Sequence, residues 1–286
     1  MTSVLTRDHA YRMLAWRLKE AGIDSSSLDA RLLVMAACGC SEMDMIREPG
    51  KRISSEQELV LDGYESRRLA GEPVSRILGT REFWGLSFLI GPHSLDPRPD
   101  SETLIETSLK LLFGHKSPRI LDLGTGSGCL LIALLSEHQN AEGIGIDLSL
   151  ETLDLAQENA RKLSVSERAT FRHGRWAEGI NERFDLVISN PPYIPAADIE
   201  SLAIEVRAYD PRLALDGGSD GLDAYRALAQ AIPALLSPKG HAVIELGEGQ
   251  GDDVSALFVK AGLDVLTIVP DLAGIPRALV ATLPKA

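Results

Sequence analysis

Residues 120–128 read Ile-Leu-Asp-Leu-Gly-Thr-Gly-Ser-Gly, and the prediction of the fold starts from this stretch. The first four of these residues, Ile120 to Leu123, have the character of a buried strand that enters a glycine-rich turn. Glycines allow positive φ and let backbone N–H groups approach a ligand closely. The apolar run from Cys129 to Leu135 then predicts a helix. A strand, a glycine-rich turn and a helix in this order indicate the start of a βαβ unit.

The next predicted strand, Gly143–Asp147, ends on a carboxylate 19 residues beyond Gly128. A carboxylate at this point can accept hydrogen bonds from both ribose hydroxyls of a nucleoside cofactor. The glycine spacing disfavours an NAD-dependent dehydrogenase, because a G-x-G-x-x-G pattern counted from Gly124 has Cys129 at its last position. Asp122 would repel a pyrophosphate and would suit a cationic sulfonium compound with an amino-acid tail. A glycine-rich turn without a ligand is the alternative.

A second motif, Asn190-Pro191-Pro192-Tyr193, follows the apolar, strand-like run at residues 184–189. Proline cannot donate to a sheet ladder, so the two prolines force the chain off the sheet. Asn190 and Tyr193 are therefore held on a stiff loop at the carboxyl end of a strand, where open α/β sheets bind their ligands. An amide and an aromatic ring suit a planar group that carries an NH2. The alternative is a proline-rich turn with a capping asparagine.

Strand-like and helix-like segments alternate from Ser117 onward. Alternation of this kind predicts a parallel, doubly wound α/β sheet. The predicted strands are residues 120–123, 143–147, 170–173, 186–189, 241–246, 263–268 and 278–283. Glu245, near the end of the fifth of these strands, could be structural or could face the site, and the structural interpretation is favoured.

Residues 1–75 predict short amphipathic helices and carry no catalytic motif. The apolar positions of one such helix are Leu28, Leu32 and Met35. Ser54 and Gln57 have the spacing of a capping box that opens a further helix. Residues 82–90 predict a β-hairpin that joins this helical region to the α/β region.

The composition limits the class of protein. An apolar fraction of 44% over 286 residues is enough for an α/β domain and a small companion. No run approaches the roughly 18 apolar residues of a membrane span, and Met1–Arg7 lacks the apolar core of a signal peptide. Three cysteines and six scattered histidines form no disulfide framework and no metal site, and Cys38 and Cys40 are interpreted as buried thiols. A reducing, cytoplasmic location fits this pattern.

The two motifs, in this order, resemble class I S-adenosylmethionine-dependent methyltransferases that act on amide or exocyclic amino nitrogens. The resemblance narrows to the glutamine-N5 methyltransferases that modify peptide-chain release factors, and it covers nearly the whole chain. The segments that resemble this family are residues 72–79, 82–84, 97–102, 212–218, 220–222 and 271–274. The resemblance implies a Rossmann-like, seven-stranded class I methyltransferase sheet with an antiparallel last strand and a small N-terminal α-helical domain. We therefore predict a helical substrate-recognition domain at 1–75, a hairpin and linker at 76–105, and a methyltransferase domain at 106–286.

The resemblance also implies roles for individual residues. The predicted catalytic residues are Asn190, Pro191, Pro192 and Tyr193, which hold the glutamine amide. The predicted cofactor-binding residues are Asp122, Gly124, Thr125, Gly126, Ser127, Gly128, Asp147, Trp176 and Asn190. Trp176 is expected to line the adenine of S-adenosylmethionine, and the product would be S-adenosylhomocysteine.

Three positions depart from the family pattern. The family commonly has an apolar residue where Asp96 stands and a threonine where Ser101 stands. It usually has an aspartate before the tryptophan, where this chain has Arg175. Ser101 keeps the hydroxyl group, whereas Arg175 reverses a charge beside the expected adenine pocket.

The expected substrate is the glutamine of the Gly-Gly-Gln motif in class-1 release factors, methylated by a monomeric enzyme. Glutamine methylation of a ribosomal protein is the alternative within the family. That branch usually has a serine-proline pair where this chain has Pro99-Asp100, which favours the release-factor branch. Adenine-N6 methylation of nucleic acid is disfavoured because the net charge of −12 does not suit a polyanion. A non-catalytic, cofactor-sensing protein is the alternative from another class, and a turnover assay would distinguish it.

Overall fold

A computed structural model describes residues 5–285 of the chain, which form two compact units divided between Gly79 and Thr80. The helices of the first unit are Arg7–Glu20 (α1), Ser26–Cys38 (α2), Glu42–Arg47 (α3), Ser55–Leu69 (α4) and Val74–Leu78 (α5). Ser54 and Gln57 form the predicted capping box: Gln57 N donates to Ser54 Oγ over 3.2 Å and Ser54 N to Gln57 Oε1 over 2.9 Å. Each side chain thus satisfies a backbone donor at the start of α4.

The buried face of α2 differs from the predicted one. Ala30, Leu33 and Val34 are fully buried, whereas Leu28 is 48% exposed. Leu32 and Met35 are only half-buried. Apolar residues lie on more than one side of this helix, so periodicity alone did not select the stripe that packs. The predicted helix is confirmed, but the apolar positions read from the sequence do not form its buried face.

The second unit begins with a two-stranded antiparallel hairpin, Thr80–Phe83 (β1) and Leu86–Leu89 (β2). The hairpin begins two residues before the predicted range 82–90 and otherwise lies within it. The strands that follow are Arg119–Leu123 (β3), Glu142–Asp147 (β4), Ala169–His173 (β5), Phe184–Ser189 (β6), Leu236–Glu245 (β7), Asp264–Pro270 (β8) and Pro276–Thr282 (β9). The helices are Glu102–Leu111 (α6), Cys129–Glu137 (α7), Leu150–Lys162 (α8), Ile204–Arg207 (α9), Asp223–Leu235 (α10) and Gly251–Lys260 (α11).

The seven strands β3 to β9 form one sheet in the order β5-β4-β3-β6-β7-β9-β8. The five strands β5, β4, β3, β6 and β7 are each parallel to their neighbours in this order, and β9 is antiparallel to both β7 and β8. The predicted doubly wound sheet with an antiparallel last strand is therefore confirmed. The carboxyl ends of β3, β4, β6 and β7 meet at one edge, where open α/β sheets bind ligands.

Helices cover both faces of this sheet because its inner strands alternate apolar side chains to either side. On β6, Leu186 and Ile188 pack with the apolar residues of α6 and α7, while Val187 packs with those of α10 and α11. All three side chains are fully buried. The rigid core therefore lies directly beneath the loop that follows β6.

Among residues 5–285, no helix combines the length and the apolar character that crossing a membrane requires.

Candidate active site

A cavity of about 620 Å³ opens at the carboxyl edge of the sheet in the second unit. Predicted site residues that line it are Gly124, Thr125, Gly126, Ser127, Asp147, Trp176, Asn190 and Pro192. Among the described residues, its lining omits Asp122, Gly128, Pro191 and Tyr193. The glycine-rich turn and the proline-rich loop, which are far apart in sequence, thus share one cavity.

The turn between β3 and α7 has the backbone that its glycines predict. Gly124, Gly126 and Gly128 have φ angles of 73°, 55° and 81°, a region that disfavours side chains. Gly128 also lies close to α7, since a Cβ built there would come within 2.8 Å of Ile132 Cδ1. The turn therefore needs glycine for its shape and for close packing against the following helix.

Asp147 ends β4 and is fixed by two backbone donors. Its Oδ2 accepts from Gly126 N over 2.9 Å, and its Oδ1 accepts from Ser149 N over 3.0 Å. A carboxylate oxygen has two lone pairs, so each oxygen keeps one for a further donor. Asp147 lines the cavity and is thus oriented to accept hydrogen bonds from a diol such as ribose.

Asp122 is fully buried beneath the glycine-rich turn and accepts from Thr125 Oγ1 over 2.7 Å. Burial raises the pKa of this carboxyl to about 7, and the charge of nearby Asp147 adds to the rise, while the Thr125 hydroxyl opposes it. Asp122 therefore acts on the site through Thr125 and the turn, and not by direct contact with the cavity.

Trp176 lies on the loop after β5 with a φ of 51°, which is unusual for a residue with a side chain. Its ring atom Cζ3 lies 3.9 Å from the position that a Cβ on Gly124 would take. Arg175 also lines the cavity. The tryptophan ring therefore lies beside the glycine-rich turn and lines the same cavity.

The NPPY loop presents its first residue to the cavity. Asn190 Nδ2 donates to Ser101 Oγ over 3.1 Å, and Ser101 Oγ in turn donates to Glu245 Oε2. Tyr193 is half-buried and its hydroxyl donates weakly to Glu245 Oε1 over 3.5 Å. Burial, together with the smaller effect of the Glu245 charge, raises the pKa of Tyr193 to about 12. The tyrosine is therefore a neutral hydrogen-bond donor.

The segment at 216–222 holds the far end of this loop. Ile194 N donates to Leu215 O over 3.0 Å, and Gly217 N donates to Ile194 O over 2.8 Å. A Cβ on Gly217 would lie 2.9 Å from the backbone carbon of Tyr193. The glycines of this segment are thus needed because two backbones approach closely.

Sequence reasoning missed three residues of the site. Ser101 accepts a hydrogen bond from Asn190, and Glu245 accepts one from Ser101. Gln250 Nε2 donates to Tyr193 O over 3.0 Å. Ser101 lies in one of the segments that carry the family resemblance, which was a usable signal. Glu245 ends a strand but resembles any strand-end carboxylate, and Gln250 carried no local signal.

The donor set fits S-adenosylmethionine. Asp147 offers acceptors for a ribose, and Trp176 offers an aromatic face. Among the described residues, Ser127 Oγ is buried without a hydrogen-bond partner, as expected of a hydroxyl that serves a ligand. A cavity of about 620 Å³ is also within the usual range for a cofactor of this size.

Comparisons with known proteins agree with this geometry. Residues 9–79 match the family profile of the PrmC N-terminal domain, and residues 114–248 match that of a methyltransferase domain. A crystal structure of a methyltransferase from Pyrococcus furiosus is similar, with a TM-score of 0.53, 18% identity, and coverage of 77% of this chain and 98% of that chain. The fold and the site thus define a class I S-adenosylmethionine-dependent methyltransferase.

Two relatives identify the family. A release factor glutamine methyltransferase from Rhodospirillum rubrum is 48% identical over 93% of this chain and 82% of the relative. One from Bradyrhizobium diazoefficiens is 45% identical over 95% of this chain and 93% of the relative. The chain belongs to the family of release factor glutamine methyltransferases.

Proposed function

We propose that this enzyme transfers a methyl group from S-adenosylmethionine to the side-chain amide nitrogen (N5) of a glutamine in class-1 peptide chain release factors. The glutamine is that of the Gly-Gly-Gln motif. The names of the relatives support the substrate. The observation that carries the chemistry is the placement of the Asn190 amide, anchored through its nitrogen at the edge of the cofactor cavity.

Asn190 and the Pro191 carbonyl would orient the substrate amide. Asn190 Nδ2 is already used by Ser101, so its Oδ1 is left to accept one proton of the glutamine NH2. The backbone carbonyl of Pro191 would accept the other. Two fixed acceptors direct the nitrogen lone pair and stabilise the positive charge that develops on this nitrogen.

Bound S-adenosylmethionine supplies an electrophilic methyl group. Asn190 and Pro191 would hold the glutamine nitrogen close to that methyl group, and proximity would supply much of the rate. Transfer would form a nitrogen–methyl bond as the sulfur–methyl bond breaks, which would give a cationic nitrogen and S-adenosylhomocysteine. The methylated amide is then very acidic and loses its extra proton to nearby water, so the NPPY loop needs no strong base.

The Tyr193 ring would stack on the flat amide and exclude misaligned poses. This stacking stays a prediction, because the described lining of the cavity includes Asn190 and Pro192 but not Tyr193. Pro191 is likewise absent from that lining, so the observation that supports the proposal is the position of the Asn190 amide.

The experiment is transfer of radiolabelled methyl from S-adenosylmethionine to a purified class-1 release factor. The matched control is the same factor with the glutamine of its Gly-Gly-Gln motif replaced by alanine, with unmodified ribosomal protein and DNA alongside. Label on the factor and none on its glutamine-less control is the expected result. Label only on the ribosomal protein or the DNA would overturn the substrate, and no label on any of them would overturn the proposal.

A further inference from the structure

A short chain of hydrogen bonds leads from the reactive end of the site into the protein core. Asn190 Nδ2 donates to Ser101 Oγ over 3.1 Å, and Ser101 Oγ donates to Glu245 Oε2. Ser101 and Glu245 are 2% and 1% exposed, so the bond between them is shielded from bulk water. A carboxylate this deep in a core is unusual unless it has a specific partner.

We propose that Glu245 is a positioning residue that sets the orientation of the Asn190 amide through the Ser101 hydroxyl. This inference rests on the proposed function, in which Asn190 Oδ1 accepts a proton of the substrate amide. Ser101 stands between the carboxylate and Asn190, so Glu245 acts through the serine and not on the substrate.

The number of available protons fixes the direction of each hydrogen bond. A serine hydroxyl has one proton to donate, and an ionised carboxylate can only accept. When Glu245 is ionised, it takes the Ser101 proton, and the serine oxygen is left with lone pairs only. The only group of Asn190 that can bond to it is then the NH2. The amide oxygen is therefore forced toward the cavity, whichever way the amide would otherwise turn.

Protonation of Glu245 would remove this constraint. A neutral carboxyl can donate to Ser101 Oγ, and the serine proton can then turn to Asn190 Oδ1. The asparagine amide could flip and present its NH2 to the cavity, where it would meet the NH2 of the substrate glutamine. Two donors face to face cannot bond, so the substrate nitrogen would lose one of its two acceptors.

Tertiary structure, not local sequence, assembles this relay. In the sheet, Ser189 at the end of β6 is paired with Ile244 of β7. Asn190 directly follows β6, and Glu245 directly follows Ile244 as the last residue of β7. The two residues are therefore neighbours at the same edge of the sheet. Ser101, the residue directly before α6, lies at the same edge. The bonds join residues 89 and 144 positions apart along the chain.

The charged and titratable groups around Glu245 come from several elements. Arg277 lies on β9 and pairs with Asp100 over 3.4 Å and with Asp271 over 3.3 Å. Tyr193 faces the carboxylate from the NPPY loop, and the charge of Glu245 is also felt by Cys129 at the start of α7.

The balance of these groups places Glu245 in an accessible pH range. Burial raises the pKa of Glu245 to about 7, whereas the Ser101 hydroxyl and Arg277 lower it and Asp100 raises it. The carboxylate form, which orients Asn190, is therefore present above about pH 7 and is lost as the pH falls. The pH dependence of turnover thus reports on the relay.

The test is the pH profile of kcat for methylation of the release factor, from about pH 5.5 to about pH 8.5, in four proteins. They are the wild type, Glu245→Gln, Ser101→Ala and Ser101→Thr. The wild type should lose activity below about pH 7. Glu245→Gln and Ser101→Ala should lower kcat at high pH by about 10- to 100-fold, as substitution of an outer orienting residue typically does. Glu245→Gln should also remove the acid limb, because glutamine has no proton to gain.

Ser101→Thr keeps the hydroxyl and should restore both kcat and the acid limb toward those of the wild type. Calorimetric affinity for S-adenosylmethionine should stay the same in all variants, since the relay orients the substrate amide only. The control for a general loss of structure around Glu245 is Tyr225→Phe. This variant loses a hydroxyl that donates to the backbone carbonyl of Glu245 over 3.0 Å, and it keeps the Glu245 side chain. It should keep the acid limb, although its stability falls.

The outcomes separate this inference from the proposed function. A wild type that methylates no release factor contradicts the proposed function itself. A wild type that is active but has no acid limb contradicts the inference alone. So does a Glu245→Gln variant that retains wild-type kcat or retains the acid limb.

Discussion

Gln250 donates a hydrogen bond from Nε2 to the main-chain carbonyl oxygen of Tyr193 over 3.0 Å. Its other amide atom, Oε1, lies 3.3 Å from the buried Tyr225 hydroxyl, whose one proton is shared between this oxygen and the main-chain carbonyl oxygen of Glu245. Both ends of this side chain are therefore used, and they tie the NPPY loop to the region that begins α11. Because the loop carries Asn190, the position of the reactive amide depends on a residue that does not line the described cavity.

Gln250→Ala should lower kcat by about 10-fold, since it frees the Tyr193 carbonyl and loosens the loop. Affinity for S-adenosylmethionine should change little, because the turn that binds the cofactor is untouched. Steady-state kinetics and calorimetry measure the two effects. Gln157→Ala, on an exposed part of α8, is the matched control and should behave as the wild type. Equal kcat values for both variants would show that the loop needs no such tie.

Asn190→Ala should cut kcat by about 100- to 1,000-fold, because it removes one of two acceptors that act on the developing charge. The affinity for the cofactor should fall far less. Single-turnover methylation of the release factor measures the first quantity and calorimetry the second. Asn181→Ala, at an exposed position, is the control. Near-normal turnover of Asn190→Ala would refute the proposed role of this side chain.

Asp147→Ala should weaken S-adenosylmethionine binding by about 10- to 100-fold, the range expected when hydrogen bonds to a charged group are lost. Part of the loss comes from the turn, because Gly126 N loses its acceptor. Calorimetry gives the dissociation constant. Asp154→Ala removes an exposed carboxylate from α8 and should leave binding unchanged. If both variants bind equally well, Asp147 has no part in holding the cofactor.

Stability should depend on pH through Asp122. Its pKa is raised from 3.8 to about 7 in the folded protein, chiefly by burial, so the folded state binds this proton more tightly than the unfolded chain does. The contribution to stability is fully present below the unfolded value and is lost as the pH rises toward 7. Glu245, also raised to about 7, adds an effect of the same sign.

Asp122→Asn should therefore make the decline in stability with rising pH shallower than in the wild type. Urea denaturation at about pH 5 and about pH 8 measures the free energy of unfolding for both proteins. Asp154→Asn, at an exposed site, should keep the wild-type difference. An unchanged difference in Asp122→Asn would mean that Asp122 titrates alike in the folded and unfolded chains.

Asp29→Ala should destabilise the N-terminal unit by about 2 kcal/mol, because it removes a charge-assisted hydrogen bond between two buried side chains. Asp29 Oδ2 accepts from Arg68 Nε over 2.7 Å, and both side chains are buried. Thermal denaturation followed by circular dichroism measures the loss. The exposed Asp24 provides the control substitution Asp24→Ala, which should have little effect. Similar melting of the two variants would argue against the buried pair.

Most strands were predicted within one or two residues because their apolar runs are bounded by glycine, proline and polar residues. β7 is the exception, since it begins at Leu236 although the prediction began at residue 241. Ser237 to Gly240 carry the proline and glycine of a turn. The register between β6 and β7 shifts between Phe184 and Leu186, and this irregularity absorbs the extra residues. Such a shift is a property of the pair of strands, and neither strand shows it alone.

The class of fold, the glycine-rich turn and the NPPY loop can be predicted from the sequence alone, because they depend on local properties. Apolar periodicity, positive φ at glycine and the missing N–H of proline act within a few residues of one another. The residues that meet Asn190 cannot be predicted in this way. Ser101 and Glu245 reach it because β7 lies beside β6 and the chain before α6 ends at the same edge of the sheet. Strand order and register are set by packing between segments distant in sequence, so no local pattern records them.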